Sequence, residues 1–276
     1  MKMKKMISSL SIVLSITLTG ALLPTRLANA ASLAYAMNPS ISTNKVLTRE
    51  ENSKVKSEID VLNKFHVDTS KIGRVNVTEN GNEYILKYKN ADEKVIIKNS
   101  DTENTTIIVT SDKLRNELSF AKDGSITLDG FKVQVSQVEK TDTNLVANPM
   151  GIIYKSVKSL YPYGSLTSSD YNTYVGSGTQ NINLGKAVSA VSLTALCTLI
   201  GGINPFLGMA ASLLSIAAGV KDVVMAANPT TQYLGCRWET WRCGSDDYEY
   251  WTKFYSNVQC TGSYSLQKSY EHFTIY

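Results

Sequence analysis

The sequence predicts an α+β protein with three parts: a helix plus antiparallel β meander, an apolar helical hairpin, and a small aromatic-rich β tail. One amphipathic helical stripe is followed by short alternating apolar segments. Residues 187–220 contain no charged side chain, and residues 231–276 hold 12 of the 24 aromatic residues. With 276 residues, 43 % of them hydrophobic, the composition excludes a disordered protein.

Residues 1–30 have the features of an export signal. Three lysines precede an apolar stretch from Met6 to Leu23, and the small residues around Ala30 predict cleavage after that position. A membrane anchor is the alternative, but serine and threonine dilute the apolar stretch. Removal of the signal leaves 24 basic and 24 acidic residues. We therefore expect a secreted, extracellular protein, and a neutral chain gives no support for a nucleic-acid partner.

Charge divides the remaining chain into two halves. Residues 31–142 carry 33 charged side chains in 112 positions, whereas residues 143–276 carry 15 in 134. A change of this size is typical of a boundary between structural units. We expect a charged α+β domain over 31–141, a linker or edge segment over 142–184, the hairpin over 185–228 and the tail over 229–276.

The charged unit opens on a predicted helix. Thr48 and Glu51 fit a capping box, in which each side chain accepts a hydrogen bond from the other residue's backbone N–H. Apolar side chains follow at helical spacing at Val55, Ile59, Leu62 and Phe65. Short strand-like segments come next, separated by the turn dipeptides Asn80-Gly81, Asp123-Gly124 and Asp129-Gly130. This pattern favours one helix packed against an antiparallel meander.

The uncharged segment predicts two apolar helices, Ala187–Ile200 and Pro205–Ala227. Gly201 and Gly202 favour a turn between them, because glycine readily adopts the left-handed conformation that ends helices. The candidate membrane-contacting residues are Leu193, Leu196, Leu199, Ile200, Phe206, Leu207, Leu213, Leu214 and Ile216. The small residues Gly208, Ser212, Ser215 and Gly219 form a candidate helix-packing seam. Such a hairpin fits either membrane insertion or the core of a soluble protein.

The tail is predicted to form strands and to contain disulfide-forming cysteines. Export permits disulfides, and the candidates are Cys236, Cys243 and Cys260. If one extended strand holds Cys236 and Cys243, they lie on opposite faces and about 23 Å apart, so Cys260 pairs with one of them. Three full pairings stay open, and Cys197 is a candidate buried thiol. We expect no metal site, since no CxxC occurs and the two histidines lack ligand spacing.

Familiar catalytic patterns are absent from the sequence. It contains no GxSxG, HExxH, P-loop or GxGxxG motif, and neither His66 nor His272 has a catalytic context. A hydrolase using Asp246, Asp247 and Glu249 is an alternative, but clustered acids near a turn are more typical of a solvated loop. We therefore expect a protein that is not an enzyme and has no cofactor.

The organisation of the chain resembles a known group of proteins. An export signal, a charged β-rich unit, the apolar run Leu199–Gly208 and the tyrosine-rich tail Tyr248–Tyr276 are similar to those of geobacillin-type large secreted bacteriocins of Gram-positive bacteria. The resemblance implies an antibacterial protein that acts at the envelope of related cells.

Two functions are consistent with these features. In the first, the hairpin inserts into the membrane of a target cell, the aromatic tail anchors it, and a receptor in the envelope is a further candidate partner. In the second, the protein is a secreted cell-surface or glycan-binding module, the hairpin is structural core and the tryptophans contact sugar. A surface-acting hydrolase ranks third.

Overall fold

The protein is mostly β. A computed structural model describes residues 41–89, 91–98, 104–142, 154–203 and 210–275, so the predicted signal and its cleavage site at Ala30 lie outside the described residues. Strands make up 45 % of the structure and helices 25 %, and the strands form two sheets. The predicted α+β class with a helical hairpin is therefore wrong. The tail is one part of a larger sheet, because it pairs with strands from earlier in the chain.

The first sheet contains eight strands in chain order. They are β1 (Ser42–Thr43), β2 (Ile72–Thr78), β3 (Gly81–Lys87), β4 (Asp92–Lys98), β5 (Thr105–Thr110), β6 (Arg115–Phe120), β7 (Ile126–Leu128) and β8 (Phe131–Lys132). Strand β1 is parallel to β2, and each later neighbour is antiparallel. Gly81 and Gly130 have φ values of 121° and 83°, which glycine accommodates readily in tight turns.

Helix α1 (Arg49–Lys64) packs against this sheet. The capping box is confirmed: the Glu51 N–H donates to Thr48 Oγ1 and the Thr48 N–H donates to Glu51 Oε2. Val55 and Leu62 are buried in the core shared with the strands. The helix ends at Lys64, and His66 follows with a φ of 62°.

The second sheet has six antiparallel strands. They are β9 (Gln134–Asp142), β10 (Tyr154–Ser159), β11 (Thr173–Asn183), β12 (Tyr233–Cys243), β13 (Asp247–Tyr255) and β14 (Tyr264–Ile275). Their order across the sheet is β10-β14-β13-β12-β11-β9. The three tail strands therefore lie between strands that precede the apolar segment in the chain.

The apolar segment forms helices α2 (Leu193–Ile203) and α3 (Ala210–Ala227) within the core, and the predicted membrane-inserting hairpin is wrong. None of the helices among the described residues is both long and apolar enough to cross a membrane. With 11 residues, α2 is about 16 Å long, against about 30 Å of hydrocarbon. Helix α3 carries Lys221 and Asp222.

Two buried polar residues of the first sheet hold the start of α2. The Glu93 carboxylate is 5 % exposed and accepts hydrogen bonds from the N–H groups of Leu193 (2.9 Å) and Thr194 (2.8 Å). The Ser192 N–H donates to Asn116 Oδ1 at 2.7 Å. The N–H groups of Leu193 and Thr194 belong to the first turn and have no acceptors inside the helix, so the first sheet supplies them.

Candidate functional site

The predicted membrane-contacting residues lie mainly in the protein core. Leu196, Leu199, Ile200, Leu213 and Ile216 are each at most 2 % exposed. Leu193 is partly buried against the same core. Phe206 and Leu207 lie outside the described residues, and of Leu214 only the helical backbone is described.

The structure describes the surroundings of two members of the predicted small-residue seam, Ser215 and Gly219. Gly219 faces strand β14, where an added Cβ would lie 2.4 Å from Ser265 Oγ. Ser215 is exposed, the side chain of Ser212 is not described, and Gly208 lies outside the described residues. The small residue at 219 therefore allows a helix to approach a sheet.

The prediction of disulfides is also wrong, because all four cysteines are thiols. Cys236 and Cys243 do lie in one strand, β12. Cys260 lies beside Gly235, since a Cβ at that glycine would be 2.7 Å from Cys260 Sγ. Side chains at 235 and 236 point to opposite faces, so Cys236 faces away from Cys260. Cys243 is about 26 Å from Gly235 along the same strand. Cys197 is buried inside α2.

One face of the second sheet carries a row of aromatic rings. Helix α3 packs against the opposite face, which includes Ser265 and the buried Phe254. On the aromatic face, the ring centroid of Trp241 lies 5.3 Å from that of Tyr174 and 6.0 Å from that of Trp251. Tyr174 is 39 % exposed. We call this surface the aromatic face; Trp238 of the same strand points to the other side of the sheet.

Lysines and carboxylates lie between these rings. The Lys268 ammonium is 4.1 Å from the Trp251 ring centroid and 3.1 Å from Glu249 Oε1. Lys253 is 5.6 Å from the same centroid and 3.1 Å from Glu239 Oε1. A cation over an indole is attracted by the negative charge of the ring face. The Trp251 side chain therefore lies within an ordered polar and aromatic cluster.

Glu249 is the centre of this cluster and is fully buried. Its Oε1 accepts hydrogen bonds from Ser168 Oγ at 2.5 Å and from the Tyr270 hydroxyl at 2.9 Å, in addition to Lys268. Its Oε2 is shielded from solvent and has no hydrogen-bond partner among the described residues. Burial and the Glu249 carboxylate raise the pKa of Tyr270, so its hydroxyl stays protonated and continues to donate.

A loop over residues 160–172 covers one end of the aromatic face. Tyr163 stacks on His272 with ring centroids 3.8 Å apart, and His272 Nδ1 is 2.9 Å from Asp247 Oδ1. Tyr171 packs on Tyr270 at 5.3 Å. The loop therefore covers Glu249, and the rings at 174, 241 and 251 lie outside the part of the face that the loop covers.

The indole N–H groups of Trp241 and Trp251 have unused hydrogen-bonding capacity. Both nitrogen atoms are shielded from solvent and lack an acceptor in the part of the chain that the structure describes. A buried donor without an acceptor costs about 1–3 kcal/mol.

The sequence interpretation missed the role of Glu249. It placed Asp246, Asp247 and Glu249 in a solvated loop, but Asp247 begins strand β13 and Glu249 is buried within it. The signal that could have identified it is alternation: Glu249 and Trp251 are two residues apart in a strand-like run, so they share one face. The covering residue Ser168 is 81 positions away and has no local signal.

The described residues contain no group of three or more His, Cys, Asp or Glu side chains that could hold a metal ion. Comparisons with protein-family models, with curated proteins and with solved structures find no match. The arrangement itself can bind a ligand that has an apolar face and several polar groups, because rings, cations and carboxylates are placed side by side.

Proposed function

We propose that this is a secreted carbohydrate-binding protein of the cell surface, and that its ligand lies on the aromatic face. The observation that carries the proposal is the row formed by Tyr174, Trp241 and Trp251, next to the polar cluster of Glu249 and Lys268. Sugar rings have apolar C–H faces and polar edges, so they fit aromatic rings bordered by hydrogen-bonding groups.

The burial of the apolar helices supports this function over insertion into a membrane. Leu196, Leu199 and Leu213 are each 0 % exposed and belong to the core cluster that also contains strands of both sheets. Releasing them would uncover that core at about 25 cal/mol for each Å² of apolar surface. The antibacterial role that the resemblance implies stays a prediction, and binding to the envelope would be its first step.

Tryptophan fluorescence tests the proposal, because the chain has three tryptophans. Soluble cell-wall polysaccharide is titrated into the protein, and vesicles of phosphatidylcholine and phosphatidylglycerol are titrated into a second sample. We expect polysaccharide to quench or shift the emission and vesicles to leave it unchanged. The two rings at 241 and 251 are partly exposed on the proposed binding face, so they should carry the signal.

Two variants locate the response. Trp238→Phe removes the indole of the opposite face and should keep the quenching by polysaccharide. The double variant Trp241→Phe, Trp251→Phe leaves Trp238 as its tryptophan. Polysaccharide should no longer quench the emission of this variant. Quenching that persists in the double variant, or a response to vesicles alone, would contradict binding of sugar at this face.

A further inference from the structure

The charge on the aromatic face narrows the class of sugar. We propose that its ligand is an acidic polysaccharide whose sugar rings carry carboxylates, that is, a polymer of uronic acids. This inference rests on the proposed carbohydrate-binding function and adds the charge of the ligand.

Two cations of the aromatic face, Arg237 and Lys268, are more exposed than the carboxylates with which they pair. The side chain of Arg237 is 49 % exposed and that of its partner Glu239 is 14 % exposed, with 3.4 Å between Nε and Oε1. The side chain of Lys268 is 33 % exposed above Glu249, which is 1 % exposed. An approaching ligand therefore meets positive groups first, and the carboxylates lie beneath them. Exposed cations of this kind favour an anionic partner.

A carboxylate suits these exposed cations better than a neutral group does. It has two acceptor oxygens and forms stronger hydrogen bonds with an arginine or lysine side chain than a neutral acceptor forms. The indole N–H groups of Trp241 and Trp251 and Glu249 Oε2 are shielded from solvent, so they lie below the surface that a ligand contacts.

A uronic acid combines all of these requirements in one residue. Its ring presents a C–H face for stacking on Trp241, and its carboxylate pairs with the exposed side chain of Arg237 or Lys268. A phosphodiester polymer built on an open-chain alcohol supplies the negative charge but no ring to stack. The aromatic row therefore favours the carboxylated sugar.

A matched pair of polymers tests the inference. Polygalacturonate and its fully methyl-esterified form share one backbone and differ in the charge of the carboxyl group. We expect the protein to bind polygalacturonate at least about tenfold more tightly by isothermal titration calorimetry at low salt. Raising the salt from about 50 mM to about 500 mM should remove most of this preference, because it shortens the Debye length to a few ångströms.

A matched pair of variants places the charge effect on the aromatic face. Arg237→Gln should weaken binding of polygalacturonate by about fivefold, since one exposed cation is lost. Arg115→Gln is the control: its side chain is 59 % exposed and pairs with Glu117 two positions on, as Arg237 pairs with Glu239, but it lies in the first sheet. Binding by the control should stay within about twofold of the unmodified protein.

The outcomes separate the two proposals. Equal affinity for the charged and esterified polymers, or equal loss in both arginine variants, overturns the acidic-ligand inference and leaves carbohydrate binding in place. Failure to bind either polymer, together with no response to cell-wall polysaccharide, overturns both. A preference for poly(glycerol phosphate) over polygalacturonate also overturns this inference, because it shows that charge without a sugar ring is sufficient.

Discussion

Replacing Glu93 with alanine should destabilise the whole protein. The Glu93 carboxylate accepts from the N–H groups of Leu193 and Thr194 at the start of α2. A hydrogen bond to a charged group contributes about 1.5–3 kcal/mol, so loss of both should lower the free energy of unfolding by about 3–5 kcal/mol. Burial lowers the pKa of Lys221 and Glu93 opposes this shift, so the variant also leaves a buried amine without its nearby anion.

Urea unfolding at pH 7, followed by circular dichroism, measures this loss. The control is Glu117→Ala, which removes a glutamate of the same sheet whose side chain is 44 % exposed and pairs with Arg115. A surface ion pair contributes about 0–1 kcal/mol, so the control should unfold near the wild-type midpoint. If Glu93→Ala unfolds within about 1 kcal/mol of the control, at an unchanged dependence on urea, the carboxylate does not hold the helix as argued.

Three further predictions concern packing, pH and thiol reactivity. Gly201→Ala should lower the free energy of unfolding by about 1–2 kcal/mol in urea, because its Cβ would lie 2.5 Å from His66 Cγ and overpacking outweighs the better helix propensity of alanine. Burial lowers the pKa of His66 below its usual value near 6.5, so the unfolded chain binds the proton at higher pH than the folded protein does. The free energy of unfolding should therefore fall as the pH drops below about 6.5. Urea unfolding of His66→Asn should show a smaller fall over the same pH range. An unchanged pH slope in that variant would refute this assignment. Burial raises the pKa of the Cys197 thiol, so iodoacetamide should modify the partly exposed Cys243 in the native protein and Cys197 only in urea, as read by mass spectrometry of peptides.

Local patterns of the sequence predicted the elements of the N-terminal half. Thr48 and Glu51 are three residues apart and interact directly, and the turn at Gly81 needs only the conformational freedom of glycine. In each case the interacting groups are close in the chain. Periodicity and capping rules therefore contained enough information to place them.

The apolar segment was interpreted wrongly because its environment is set by distant residues. Lack of charge over 187–220 fits a membrane helix and a core helix equally well. Whether the helix lies in a core depends on Glu93 and Asn116, which bind the start of α2 from the first sheet. No local pattern links positions that are about 100 residues apart.

For the aromatic face, the sequence predicted only that the tail is rich in aromatic residues. The density of tyrosine and tryptophan in the tail indicated either packing or binding, but not which rings share a face. The pairing of Tyr174 with Trp241 depends on the register between β11 and β12, and those strands are separated by the whole apolar segment. Strand order and register are long-range properties, and the sequence alone did not define them.

The contact between Glu93 and α2 also constrains the order in which the protein can fold during its synthesis. The two partners are 100 residues apart, so the acceptor is synthesised well before its donors. At about 5–20 residues per second, the ribosome needs about 5–20 s to reach Leu193. During that interval the early sheet lacks the helix start that Glu93 and Asn116 bind. A nascent chain that ends before Leu193 therefore contains every strand of the first sheet but not the helix that Glu93 and Asn116 bind. The final structure forms only after that helix has been made.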